Sequence, residues 1–167
     1  LDKINLSASH LLALVNDVLD MNKLESGKET IESASFDLTH LMDDVASLVN
    51  AQITEMGITH CTHRGELTHT RLIGSPLRLR QIMLNLFSNA IKYNKPGGMI
   101  DTYAGEVSCD GTRVVYEFRI TDSGIGMSSE FIEKELFHPF TQEKSGARTQ
   151  YKGTGLGMSI VKELIEK

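Results

Sequence analysis

Two asparagines and a lysine stand at positions 85, 89 and 92, four and three residues apart. At 3.6 residues per turn this spacing puts all three side chains on one face of a helix. Asparagine oxygens are neutral, hard ligands suited to Mg²⁺, an ion that takes few protein donors and keeps its waters and phosphate oxygens. A lysine beside them supplies a compact positive charge for phosphate. An ordinary solvated helix face could carry the same residue types. Asp122-Ser123-Gly124-Ile125-Gly126 is a second cluster. Its carboxylate, at the end of a strand, can accept a hydrogen bond from an exocyclic amine, and its glycines let the backbone approach a flat ring. A turn with a helix cap has the same composition, and the GxGxxG spacing of the dinucleotide fingerprint is absent. The third cluster is Gly153-Thr154-Gly155-Leu156-Gly157, with Lys144, Arg148 and Lys152 upstream. Glycine-rich backbone entering a helix offers N–H donors and the positive end of the helix dipole to phosphate. It lacks the GK[ST] of a Walker A loop, and a flexible surface loop is the plain alternative.

These clusters need elements to hold them. Ser75-Pro76 starts a helix with a capping residue and a proline at the first helical position. Leu79, Ile82, Met83, Leu86, Phe87, Ala90 and Ile91 fill one side of it. Gln81, Asn85, Ser88, Asn89 and Lys92 fill the opposite arc, and Lys95-Pro96-Gly97-Gly98 ends it. Val114, Tyr116, Phe118 and Ile120 alternate with polar residues and predict a half-buried strand running into Asp122. Asp110-Gly111 predicts a hairpin turn to a partner strand within 99–107. A short helix is expected near 129–136, a loop over 141–157 and a last helix from Gly157. Upstream, Asp37 is an N-cap for a helix carrying Leu38, Leu41, Met42, Val45, Leu48, Val49 and Ile53, with Gly57 closing it. Two short strands are expected near 58–63 and 71–73. Leu1, Ile4, Ala8, Leu11, Val15 and Val18, flanked by Leu12 and Leu19, form the apolar seam of a bundle helix. The partner of that seam is expected outside this chain.

Composition sets the outer limits. The 167 residues carry 17 basic and 22 acidic side chains, a net charge of −5, which argues against a general nucleic-acid binder. No apolar run approaches the roughly 18 residues of a spanning helix, and no leader is expected. Cys61 and Cys109 form no CxxC pair or disulfide framework and read as reduced thiols of a cytosolic protein. His60-x-x-His63 lies in a strand or loop, where that spacing does not converge on a metal. His10, His40 and His138 have no visible chemical role.

The order of the three clusters is more specific than any one of them. QIMLNLFSNAIKYN at 81–94, DSGIGM at 122–127, LFHPFTQ at 136–142 and GTGLGMSIVKEL at 153–164 resemble the N, G1, F and G2 boxes of sensor histidine kinases, of the Bergerat (GHKL) fold. LLALVNDVLDMNKLESGK at 11–28 resembles the second helix of their dimerisation and phosphotransfer hairpin. The resemblance implies an α+β fold, a two-layer α/β sandwich preceded by an amphipathic bundle helix. It implies a hairpin helix over 1–27, a linker over 28–36 and an ATP-binding catalytic domain over 37–167 whose closing strands lie beyond the chain.

Residue by residue, the resemblance makes Asn89 the Mg²⁺ ligand, with Asn85 on the same metal and phosphate side. Lys92 touches phosphate, and Tyr93 flanks the nucleotide. Asp122 binds the adenine amino group in a pocket shaped by Gly124 and Gly126. Phe137 and Phe140 anchor a lid over 141–152, which includes Lys152. Gly153, Thr154, Gly155, Leu156 and Gly157 approach the phosphates, and Arg78 helps position phosphate or lid. The implied cofactors are ATP and Mg²⁺. The implied parent is a cytoplasmic or inner-membrane-anchored kinase that dimerises through the hairpin, phosphorylates a histidine and passes the phosphoryl group to a response-regulator receiver domain. No histidine here has the acceptor context, so the acceptor is expected outside this chain. Two alternatives are a slow ATPase gate of the gyrase and MutL type and a nucleotide-sensing interaction module. The gate enzymes place a glutamate where Asn85 stands, and an amide cannot act as a general base toward water.

Overall fold

Asp37 ends one strand and starts a helix. Its backbone is extended (φ −102°, ψ 123°), and its side chain accepts from the N–H groups of Thr39 and His40. The structure is a computed structural model that describes residues 32–143 and 153–166, with Leu11, Leu12, Val15, Val18, Leu19 and Asn22 as helical positions before them. The chain divides into two compact units, Glu32–Gly126 and Leu1–Ile31 with Met127–Lys167.

In the unit Glu32–Gly126, strand β1 (Ala34–Asp37) leads into helix α1 (Leu38–Glu55). Leu38, Leu41, Val45, Val49 and Ile53 are buried at steps of three and four, as the periodicity predicts. Leu48, at the margin of that stripe, stays 56% exposed. Gly57 takes the left-handed conformation (φ +63°) just past the helix. Strands β2 (Thr59–Arg64) and β3 (Arg71–Gly74) follow, close to their expected places. All of strand β1 but Asp37 falls within the stretch 28–36 expected to be a linker. Ala34, Ser35 and Phe36 pair antiparallel with Gly74, Ile73 and Leu72. So short a strand shows no period of two, and its partner lies far along the sequence.

Helix α2 (Pro76–Lys92) begins where Ser75 accepts from the Arg78 N–H at 3.4 Å. Met83, Phe87, Ala90 and Ile91 are buried, and Asn85, Asn89 and Lys92 are half-buried. Strands β4 (Met99–Cys109) and β5 (Val114–Asp122) then form the hairpin expected around Asp110-Gly111. The sheet order is β2-β4-β5, with β2 parallel and β5 antiparallel to β4. Val45, Val49 and Ile53 of α1 share one core with Ile58, with Met83, Phe87, Ala90 and Ile91 of α2, and with Ile100 of β4. This is the two-layer arrangement of helices on a sheet. Burying each large apolar side chain contributes about 1.5–3 kcal/mol.

In the other unit, helix α3 (Ser129–Lys134) starts at Ser128 and stops two residues short of the expected Leu136. Helix α4 (Gly157–Glu166) follows the glycine-rich loop. Leu156 and Ile160 form its core, with Val18 and Leu164 packed against them. Val18 therefore finds a partner within the chain, contrary to the expectation for the whole seam. Leu11, Leu12, Val15 and Leu19 remain exposed. The other residues of the first 31 and the basic residues Lys144, Arg148 and Lys152 lie outside the described residues.

Candidate functional site

The apolar side of α2 faces the core, so its opposite arc is the one free to do chemistry. Residues 76–92 contain no Asp or Glu, and Arg78 donates to Gln81 at 2.7 Å on the same helix. The side chains of Asn85 and Asn89 make no hydrogen bond to another described residue. Two half-buried amides with open oxygens fit the sparing, all-oxygen coordination of Mg²⁺. Lys92 Nζ donates to the Tyr93 hydroxyl at 3.1 Å and lies 4.7 Å from the Tyr93 ring centroid.

The end of α2 is fastened to the Asp122 loop. Tyr93 caps the helix, and its N–H donates to the Asn89 carbonyl at 3.0 Å. Its own carbonyl accepts from the Ile125 N–H at 3.1 Å. A Cβ on Gly124 would come within 2.3 Å of that carbonyl oxygen, so only glycine lets the loop come this close. Gly126 has φ +65°, which also favours glycine. Asp122 Oδ1 accepts from the Gly124 N–H at 2.8 Å, and the carboxylate has no other partner among the described residues. The loop thus holds one carboxylate oxygen and leaves the other available.

Asn94 and Ser123 complete the fastening, and the sequence reading singles out neither. Asn94 is 1% exposed. Its Nδ2 donates to the Met99 carbonyl at 3.1 Å, and its Oδ1 accepts from the Lys95 N–H at 3.0 Å and the Ser123 hydroxyl at 3.2 Å. Ser123 Oγ in turn accepts from the Met99 N–H at 2.8 Å. Gly98 makes room, because a Cβ there would sit 2.2 Å from Asn94 Oδ1. The one visible signal is an asparagine at a helix end before Lys95-Pro96, a composition common to ordinary turns.

In the unit that carries the glycine-rich loop, Phe140 and Gly155 lock to each other. The Phe140 N–H donates to the Gly155 carbonyl at 3.0 Å, and both residues have positive φ (62° and 72°). A Cβ on Gly155 would meet the Phe140 carbonyl carbon at 2.8 Å. Gln142 Nε2 donates to the Gly153 carbonyl, and Thr154 Oγ1 accepts from the Leu156 N–H at 3.1 Å. Phe137 lies under Lys162, 5.8 Å from its Nζ. Leu156 is fully buried in the core of this unit, so its side chain anchors the loop. Any approach it makes to a ligand is through its backbone.

Among the described residues, His60 and His63 have separate partners. His60 stacks edge-on to Phe87 at 5.7 Å, and burial pushes its pKa down. His63 pairs with Asp101 at 2.9 Å.

Residues 74–167, more than half the chain, match the family of histidine kinase-, DNA gyrase B- and HSP90-like ATPases. The chain belongs to this family. Among its relatives, hybrid signal transduction histidine kinase B of Dictyostelium discoideum is 38% identical over 98% of this chain and 8% of its own length. Signal transduction histidine-protein kinase BarA of Escherichia coli K12 is 37% identical over 100% of this chain and 18% of its own. This member of the ATPase family thus spans less than a fifth of either relative. The solved structure of full-length ShkA in complex with AMPPNP superposes with a TM-score of 0.74 at 31% identity, over 95% of this chain and 31% of that one. Histidine kinase ThkA in complex with response regulator TrrA gives 0.71 at 24% identity, over 99% and 42%. The domain is the ATP-binding catalytic domain of sensor histidine kinases in two-component signalling.

Proposed function

We propose that this domain binds Mg·ATP through Asp122 and the amide face of α2, and donates the γ-phosphoryl group to a histidine of the parent kinase. The phosphoryl group then passes to an aspartate of a response-regulator receiver domain. The observation that carries this is the fastening of the Asp122 loop to the end of the helix that bears Asn85, Asn89 and Lys92. One rigid unit thereby holds a group for the base and groups for the phosphates. Asp122 accepts the adenine amine, while Gly124 and Gly126 keep the backbone close and Tyr93 flanks the nucleotide. Asn89 and Asn85 hold Mg²⁺, which neutralises phosphate charge when bound. Lys92 leaves the Tyr93 hydroxyl for a phosphate oxygen. The backbone of 153–157 offers N–H donors to phosphate, with Phe137 and Phe140 holding the F-box end of the lid. Lys152 adds a cation.

No carboxylate lies on α2, so nothing on this face activates water. That favours phosphoryl transfer to a delivered imidazole over the ATPase gate. The exposed Leu11, Leu12, Val15 and Leu19 suit a homodimer contact in the parent. No helix among the described residues is long and apolar enough to cross a membrane. The use of ATP and of a receiver-domain partner places the proposed domain on the cytoplasmic side.

Calorimetry tests the reading. Wild-type chain binds Mg·ATP, Asp122→Asn abolishes binding, and Asn89→Ala removes its Mg²⁺ dependence. Mixing with a hairpin fragment that bears an acceptor histidine yields acid-labile phosphate. A folded chain that binds no nucleotide, or that hydrolyses ATP several times a minute without transfer, overturns it.

A further inference from the structure

A second constellation is built at the far end of the β4–β5 hairpin. Ile100 pairs with Asp122, whereas Cys109 pairs with Val114. Cys109 lies nine steps along the strand from Ile100, about 30 Å at ~3.3 Å per residue. Pairing slips by one residue between Glu106 and Ser108, leaving Val107 as a bulge. In a regular strand Glu106 and Cys109, three apart, point to opposite faces. The extra residue turns both to the face that carries Val114 and Tyr116.

His69 is held beside them from another segment. Glu106 Oε2 accepts from the N–H groups of Thr68 at 3.1 Å and His69 at 3.0 Å. The Tyr116 hydroxyl donates to the His69 carbonyl. His69 Nδ1 lies 2.9 Å from Glu106 Oε1, in a carboxylate only 12% exposed. With Nδ1 donating to the carboxylate, Nε2 keeps its lone pair. That Nε2 is 4.0 Å from Cys109 Sγ, which also accepts from the Gly111 N–H at 3.3 Å.

We propose that Cys109 Sγ and His69 Nε2 bind a Zn²⁺ ion, with Glu106 orienting the histidine from behind. Tetrahedral zinc with Zn–S about 2.3 Å and Zn–N about 2.0–2.1 Å puts sulfur and nitrogen ~3.6 Å apart. The observed separation of 4.0 Å closes to that with a shift of a few tenths of an ångström. Water fills the remaining positions. A thiolate and an imidazole suit zinc and not Mg²⁺, so this set differs in chemistry as well as place from the amides of α2. A carboxylate behind a ligating imidazole fixes its orientation and raises its basicity.

The test uses the whole chain under a non-metal reductant, with Co²⁺ as a spectroscopic stand-in and Zn²⁺ as its competitor. One equivalent of Co²⁺ gives a thiolate-to-metal charge-transfer band that Zn²⁺ abolishes. Cys109→Ser loses the band, whereas Cys61→Ser keeps it. His69→Gln weakens binding, and Glu106→Gln weakens it about 10–100-fold. X-ray absorption on the unmodified zinc-loaded chain gives one sulfur neighbour at about 2.3 Å, a readout that needs no variant to fold. A band that survives in Cys109→Ser, a zinc shell without sulfur, or no Co²⁺ uptake overturns the proposal.

Discussion

Gly124 is where one methyl group decides whether the Asp122 loop can sit against helix α2. Its missing Cβ leaves room for the Tyr93 carbonyl, 2.3 Å from where that carbon would lie. Gly124→Ala should therefore push the loop off the helix end and weaken Mg·ATP binding at least tenfold, measured by calorimetry. Unchanged affinity would mean that the loop need not rest on Tyr93. Ser123→Ala is milder. It removes the donor to Asn94 Oδ1 and the acceptor for the Met99 N–H. Asn94 Oδ1 keeps the Lys95 N–H, so the cost is that of lost hydrogen bonds, about 0.5–1.5 kcal/mol each, read as a lower urea midpoint. Asn85, Asn89, Lys92 and Asp122 stand out in the sequence as ligand candidates because their residue types carry that chemistry. Asn94 does not, because its importance comes from being buried, and burial is set by residues distant in sequence.

Helices were the most legible elements. Leu38, Leu41, Val45, Val49 and Ile53 mark α1 by spacing alone, and Ser75-Pro76 marks the start of α2. Ser75→Ala should cost about 1 kcal/mol and loosen the first turn of the helix that carries the amides, as helical hydrogen exchange would show. Phe87→Ala, in the core between α1, α2 and the sheet, should cost about 3–5 kcal/mol. A loss below ~1 kcal/mol would show that this core collapses freely around the cavity. Strand β1 was illegible, since four residues give no usable period and their pairing with β3 spans a helix and another strand. The bulge at Val107 was illegible for a related reason. It exists only relative to β5, and without it Glu106 and Cys109 read as residues on opposite faces. His69 lies 37 positions before Glu106, so no local motif joins them.

Among the described residues, the carboxylates held below their ordinary values, Asp37, Glu106 and Asp110, all lie in the unit Glu32–Gly126. Asp37 has its pKa lowered to about 2, mainly by the Thr39 hydroxyl and then by the His40 N–H at the start of α1. The His69 side chain, and then its N–H, hold Glu106 below its ordinary value. The Arg113 and Thr112 N–H groups do the same for Asp110 in the hairpin turn. Each of these carboxylates takes up its proton more readily in the unfolded chain than in the folded one. Their stabilisation is therefore complete above the ordinary carboxylate range of about 3.9–4.3, and it drains away as the pH falls toward the folded values. Denaturation midpoints should sag slightly between pH 7 and about 5, because burial holds the His60 imidazole below its ordinary value and the unfolded chain takes up that proton first, and then drop steeply toward pH 2. Asp37→Asn separates capping from charge, because asparagine caps a helix nearly as well but cannot titrate there. This variant should keep most of its stability at pH 7 and lose less than the wild type between pH 5 and 2. An acid limb equally steep in both proteins would remove Asp37 as a source of the pH dependence and leave it to Glu106 and Asp110.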